Sequence, residues 1–270
     1  MVQQNKCEEG RYLYCIVNSG KETNFGQVGI EDNLVYLVPF KDVGTVVHRC
    51  EAKPYKTEDK EKAGEWILAH QYVIDLATEK FGTVIPLTFD TIFKGDDETV
   101  KNWLRKEYRL LKARLARLEG KAEYGVQIFL DNDYVKKIIE DSEEVQKLER
   151  KLENTSSGAA YLLKKNLEKR IHIEKNILTN KYAKELYAQA KKLVEDVKVD
   201  STNREVPEKW KGRQMILNLA CLAQKDEIEN LGKMLEGVNK REGFSVRFTG
   251  PWPPYSFVEQ INESKIEESG

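Results

Sequence analysis

EYGVQIFL, residues 123–130, reads as a strand, and it divides the sequence into two differently patterned halves. Upstream, short strand-like runs come first and two amphipathic helices follow. Downstream, residues 131 to about 199 are helical apart from a break at Asn154-Thr155-Ser156-Ser157-Gly158. The chain then resumes as strand (MILNLACLA, 215–223), helix (226–240) and strand (FSVRFTG, 244–250). With a further strand expected near 199–206, the order is β-α-β-β-α-β, which is the ferredoxin-like plan.

The upstream half contains RYLYCIV (11–17), LVYLV (34–38) and GTVVH (44–48), three aromatic and β-branched runs that predict strands. From Thr57 the apolar period changes to three and four, through Ala63, Trp66, Ile67, His70, Ile74, Ala77 and Phe81. This predicts an amphipathic helix with Thr57 as N-cap and Gly82 as its stop. TVIPLTF (83–89) is a further strand, which Pro86 confines to an edge or a bulge. A second helix starts in the acids at 96–98 and ends at Gly120, with Val100, Leu104, Tyr108, Leu111, Leu115 and Leu118 on one face. The expected architecture is therefore α+β. Residues 1–120 form an N-terminal α+β domain, and 121–270 form a ferredoxin-like domain with long helical additions and a Pro/aromatic C-terminal segment. A helix of about 40 residues would extend about 60 Å, so part of it must project or pack on another helix.

Composition narrows the class. Of 270 residues 33% are charged and 40% hydrophobic, the mean hydropathy is −0.61, and Gly (17) and Pro (7) are sparse. Collagen-like, low-complexity and mostly disordered classes are excluded. The longest apolar runs, 34–40 and 215–223, fall short of the ~18 residues a membrane span needs. The opening residues lack the basic and apolar regions of an export signal. Four scattered cysteines (Cys7, Cys15, Cys50 and Cys221) without a paired motif read as reduced thiols of a cytoplasmic protein.

Groups that could carry chemistry are few. His70 lies on the apolar stripe of the first helix and reads as a hydrogen-bonded structural histidine. His172 sits among Lys169, Arg170 and Lys175 and reads as solvated, and His48 is the third. Gly26 and Gly29 match no phosphate-loop pattern. Acid pairs such as Asp96-Asp97 and Asp131/Asp133 stand at helix starts, where capping accounts for them. No catalytic residue, cofactor site or metal set is expected. Residues 101–117 carry seven basic groups against Glu107, and 164–192 carry nine against three glutamates. These two helices support an alternative reading as a polyanion-binding module. The net charge of −1 argues against a nucleic-acid partner and for a protein one. The sequons at Asn154 and Asn262 read as chance matches.

The most unusual stretch is GPWPPYSFV, residues 250–258. Its prolines stiffen the backbone and Trp252, Tyr255 and Phe257 are large anchors, so it either seals the edge of its own domain or meets a partner. This ending, preceded by strand-helix-strand, resembles that of the gas vesicle GvpL/GvpF family. RYLYCIV, AHQYVIDLA, TVIPLTFDTIF, EYGVQIFL and GAAYLLKKNLEKR agree with it, so the resemblance covers about residues 10–258. Thr88 and Asp90 depart from the basic residue and Phe-Gly pair that usually follow the Pro-Leu strand there. The resemblance implies a non-enzymatic, gas-vesicle-associated assembly factor that binds the hydrophobic shell protein and other gas vesicle accessory proteins. The expected partner interface comprises Pro86, Leu87, Phe89, Pro251, Trp252, Pro253, Pro254, Tyr255 and Phe257. A sheet edge or an interdomain groove would cover a strand-forming surface of the shell protein.

Overall fold

The computed structural model describes residues 8–155, 157–202 and 206–259. The chain divides into two compact units, one of residues up to Glu123 together with those from Pro251, the other of Tyr124–Gly250.

The first unit is built on β1 (Glu9–Val17), β2 (Asn24–Gln27), β3 (Leu34–Phe40), β4 (Val43–Glu51), β5 (Val84–Pro86) and β6 (Ile92–Lys94). Strands run in the order β2-β3-β4-β1-β5, and β6 also pairs with β1. From residue 10 to 17 every position of β1 is buried, because α1 (Lys60–Phe81) and α2 (Asp97–Leu118) both pack on it and leave it no solvent face. Its pairing with β4 sets Tyr12 opposite His48. Strands β5 and β6 are two short pieces on one flank of β1. The loop between them is tied to β1 by Leu87 N–H to Tyr14 O and Leu13 N–H to Thr91 O, at 2.9 and 2.8 Å. Pro86 thus lies in an end strand, where its missing N–H removes no ladder bond.

Two local expectations shift. The cap of α1 is Asp59, whose Oδ1 accepts from the Glu61 and Lys62 N–H groups at 2.9 and 3.3 Å. Thr57 instead accepts from Asp59 N–H, shaping the turn before the helix. Carboxylates cap as well as hydroxyls, so composition alone did not separate the two. Gly82 ends the helix at φ +80, as expected. Ile67, expected on the buried stripe, is 55% exposed.

The second unit contains β7 (Lys121–Asp131), α3 (Asn132–Glu140), α4 (Glu143–Glu153), α5 (Ser157–Lys191), β8 (Asp196–Val199), β9 (Arg213–Gln224), α6 (Lys225–Asn239) and β10 (Phe244–Trp252), with strand order β10-β7-β9-β8. Asp131 caps α3 by accepting from Asp133 and Tyr134 N–H, and the helical stretch breaks at Asp141-Ser142 as well as after Glu153. The strand expected near 199–206 ends at Val199, with 203–205 outside the described residues. Helix α5 has 35 residues, about 52 Å. Its buried residues, Thr179, Leu186 and Ala190, lie toward its C-terminal end, and α4 packs along it. The core is aliphatic, with Val126, Ile128, Leu130, Leu219, Leu231 and Leu235 at its centre.

Residues from Pro251 onward group with the first unit, whereas the expected second domain ran to the chain's end. Contacts of Tyr255, Ser256 and Glu259 with α1, Glu123 and α2 account for the difference.

Candidate partner-binding site

The two segments singled out in the sequence meet in the first unit. Pro86 and Leu87 are buried in and after β5, and Phe89 is half-buried in the loop that follows. Pro253, Pro254 and Phe257 are buried, Tyr255 is half-buried, and Pro251 and Trp252 face solvent, with Trp252 49% exposed. Residues 255–257 make one 3₁₀ turn. The Glu123 carboxylate holds that turn by accepting from Ser256 N–H and Ser256 Oγ–H, each at 2.7 Å. Tyr255 O–H donates to Gln71 Oε1 at 2.9 Å, and Arg114 pairs with Glu259. A narrow crevice of about 50 Å³ remains between Pro86, Leu87, Thr91, Tyr255 and Val258. The segment is a strap across the β5–β6 edge, leaving Pro251 and Trp252 as its exposed part.

Beneath that edge lies a polar cluster in which His70 is the hydrogen-bonded structural histidine expected, while its companions Tyr12, Tyr14 and His48 were not anticipated. His70 Nε2 is 3.2 Å from Leu87 O and Nδ1 is 2.9 Å from Tyr12 Oη. A carbonyl only accepts, so Nε2 carries the proton. Burial lowers the His70 pKa to about 4 and keeps the ring neutral, so Nδ1 accepts from Tyr12 O–H. Tyr12 Oη in turn accepts from Asp90 N–H at 3.0 Å, and Asp90 Oδ1 accepts from Tyr55 N–H at 2.9 Å. A second relay runs from Ile30 N–H to Tyr14 Oη at 3.1 Å and from Tyr14 Oη to His48 Nδ1 at 2.7 Å. His48 Nε2 is 3.0 Å from Tyr55 Oη. Tyr14 is fully buried, so its proton goes to His48 Nδ1, and Nε2–H then donates to the half-buried Tyr55. Burial, and then the neighbouring His70, hold His48 near a pKa of about 4. Burial also raises both tyrosines, which stay protonated. The cluster sets the conformation of residues 87–91, including Asp90 at φ +70, a backbone region aspartate tolerates better than most residues.

On the other side of that loop an open groove of about 580 Å³ is lined by Tyr55, Lys56, Ala63, Trp66, Ile67 and Phe89. Its floor is aromatic, with Tyr55 and Trp66 rings edge to face at 5.2 Å, and Ile67 forms an apolar rim. Phe89 belongs to this groove, while Pro86 and Leu87 lie under the strap. One loop therefore separates the groove from the crevice under the strap. The signal in the sequence was the two-residue spacing of Tyr12 and Tyr14, which puts both rings on one face of β1. Their partners stand 34 to 58 positions away, beyond any local pattern.

The basic helix 101–117 is α2, where Lys112 pairs with Asp42 at 2.6 Å, Arg114 with Glu259, and Arg105 lies 4.0 Å from Glu98. In the other basic stretch Arg170 pairs with Glu174 at 2.6 Å. Among the described residues no group of three or more His, Cys, Asp or Glu could hold a metal ion, and no helix is long and apolar enough to cross a membrane. Cys15 and Cys50 are free thiols, Cys221 is buried, and Cys7 lies outside the described residues.

Comparison with known proteins places these features in context. The family described as gas vesicle synthesis protein GvpL/GvpF matches residues 10–259. Gas vesicle protein L1 of Halobacterium salinarum is 32% identical over 97% of this chain and 94% of its own. Gas vesicle protein L of Haloferax mediterranei is 30% identical over 96% and 90%. The crystal structure of GvpF from Anabaena matches at TM-score 0.71 with 20% identity, over 94% of this chain and 100% of that one, a likeness of fold.

Proposed function

The chain belongs to the gas vesicle GvpL/GvpF family, and from that premise we propose that it is a non-enzymatic accessory protein of gas vesicle assembly. It binds the hydrophobic shell protein, together with other accessory proteins, in the cytoplasm while shells nucleate and grow. The observation that carries this reading is the open groove in which the aromatic rings of Tyr55, Trp66 and Phe89 lie beside Lys56, Thr57 and Glu58, an aromatic surface on a chain that is 33% charged. A shell around gas must present an apolar face, and a subunit waiting to polymerise needs that face covered. Phe89 and Ile67 on one side of the loop and Trp252 on the other offer such cover. The second unit we read as ferredoxin-like, supported by its β10-β7-β9-β8 order.

Capture of purified shell protein tests the proposal. Phe89→Asp and Ile67→Asp change exposed or half-exposed positions and are expected to reduce capture at least tenfold, with Trp252→Ala reducing it less. Undiminished capture by all three would remove both surfaces. Deletion of the gene in its host, followed by electron microscopy, is expected to leave cells without normal vesicles.

A further inference from the structure

The groove is lined from α1, from residues 55–58 and from the loop after β5. Helix α1 is a regular element, and the other two segments are joined at Asp90. Its N–H donates to Tyr12 Oη at 3.0 Å, and its Oδ1 accepts from Tyr55 N–H at 2.9 Å. The buried Tyr12 ring meets Tyr55 edge to face at 5.6 Å and Phe89 at 6.1 Å. The neighbour of Phe89 thus holds the backbone of Tyr55, 35 positions away in the sequence.

For the fold alone aspartate is an unfavourable choice here. The backbone stands at φ +70, a region that glycine enters freely and other residues enter at a cost. The side chain is half-buried, and that burial raises its pKa, with Lys56 acting the other way. A glycine would keep the N–H bond to Tyr12 and remove both costs. What it lacks is the bond to Tyr55. Strain retained at a site points to what the strain supports. Residues 52–59 form neither helix nor strand, so that wall of the groove rests on Tyr55, held by Asp90 at its backbone and by His48 Nε2 at its hydroxyl.

We infer that Asp90 is the positioning residue of the groove, fixing Tyr55 relative to Phe89 so that the surface is already formed when an apolar segment of the partner arrives. The inference rests on the reading of this groove as the shell-protein surface. A groove set in advance avoids ordering residues 55–58 on docking, and the difference appears as affinity.

Asp90→Gly separates this role from a structural one. It suits φ +70 and keeps the bond to Tyr12, so Tm is expected to change little. Hydrogen exchange followed by NMR is expected to show the Tyr55 amide losing protection. Residues 87–91 should keep theirs, being held by Leu87 N–H to Tyr14 O, His70 Nε2–H to Leu87 O and Leu13 N–H to Thr91 O. Capture of purified shell protein is expected to weaken about tenfold. Asp90→Asn tolerates the same φ and keeps an acceptor oxygen, and it is expected to restore most of the protection and the capture. If Asp90→Gly captures as well as the unaltered chain where Phe89→Asp does not, the inference is overturned and the groove reading stands. A lowered Tm with protection lost across 87–91 makes Asp90 a structural residue and overturns it as well. Undiminished capture by Phe89→Asp too would mean that the groove is the wrong surface, and the inference falls with it.

Discussion

Around β1 the first unit buries His48, His70, Tyr12, Tyr14 and Arg11, none more than 4% exposed, whereas the sheet of the second unit is lined by Val126, Ile128, Leu130, Leu219 and Leu235. The two cores solve the same problem by different means. In the second unit side chains are interchangeable as long as volume is kept, because dispersion and apolar burial have no direction. In the first, each imidazole has one proton and one lone pair, and both are spoken for. A directional core specifies the conformation of the 87–91 loop closely, but it depends on the protonation state of two rings.

The largest expected effect that would break this comparison is therefore produced by acid. An unfolded histidine titrates near 6.5, and His48 and His70 titrate at about 4 in the fold, so between those values the unfolded chain binds more protons. Their contribution is complete above pH 6.5 and falls as pH drops toward 4, by about 1.4 kcal/mol per unit per ring and on the order of 3 kcal/mol each in all. Hydrogen exchange by mass spectrometry at pH 7 and 4.5, corrected for intrinsic rates, is expected to show lost protection in β1, β4 and α1. Strands β7 and β9 should keep theirs. Equal loss in both units would mean the histidines are not what distinguishes them.

A smaller effect probes the other side. Ile128→Ala opens a cavity in the aliphatic sheet and is expected to cost about 3 kcal/mol. The cost in urea unfolding should be the same at pH 7 and pH 5, since nothing titratable is involved. Smallest is Tyr12→Phe, which keeps the ring and removes one hydroxyl. His70 Nδ1 and Asp90 N–H lose their partner, for about 2 kcal/mol. The loss should concentrate in protection of residues 87–91, and a loss spread evenly through the unit would count against the cluster as the support of that loop.

Much of this was legible in the sequence and some was not. β-Branched and aromatic runs gave β1, β3 and β4, and the apolar spacing gave α1 and α2, because those signals are local. Pro86 gave its own edge position for the same reason. The cluster was hidden since Tyr12, His48 and His70 come together only through strand register and the seating of α1 on β1. The strap's location was hidden too. A proline-stiffened segment with three aromatics signals that something must cover it, but whether that is its own chain depends on Glu123, Gln71 and Arg114, residues unremarkable in their own neighbourhoods. Phe89 and Pro86, adjacent in one motif, proved to serve opposite sides of a loop.

The discontinuity of the first unit sets an order on biosynthesis. Its sheet and both helices emerge early, yet Tyr255 and Val258, which stand beside Pro86 and Leu87, follow the entire second unit. Residues 124–250 are contiguous and can fold while the first unit still waits for its last piece. A nascent chain cut short anywhere before Tyr255 keeps Pro86 and Leu87 uncovered, an apolar strand edge of the kind that chaperones and proteases recognise. Arrival of the strap thus completes the first unit, and its absence labels a chain that has not yet reached residue 257.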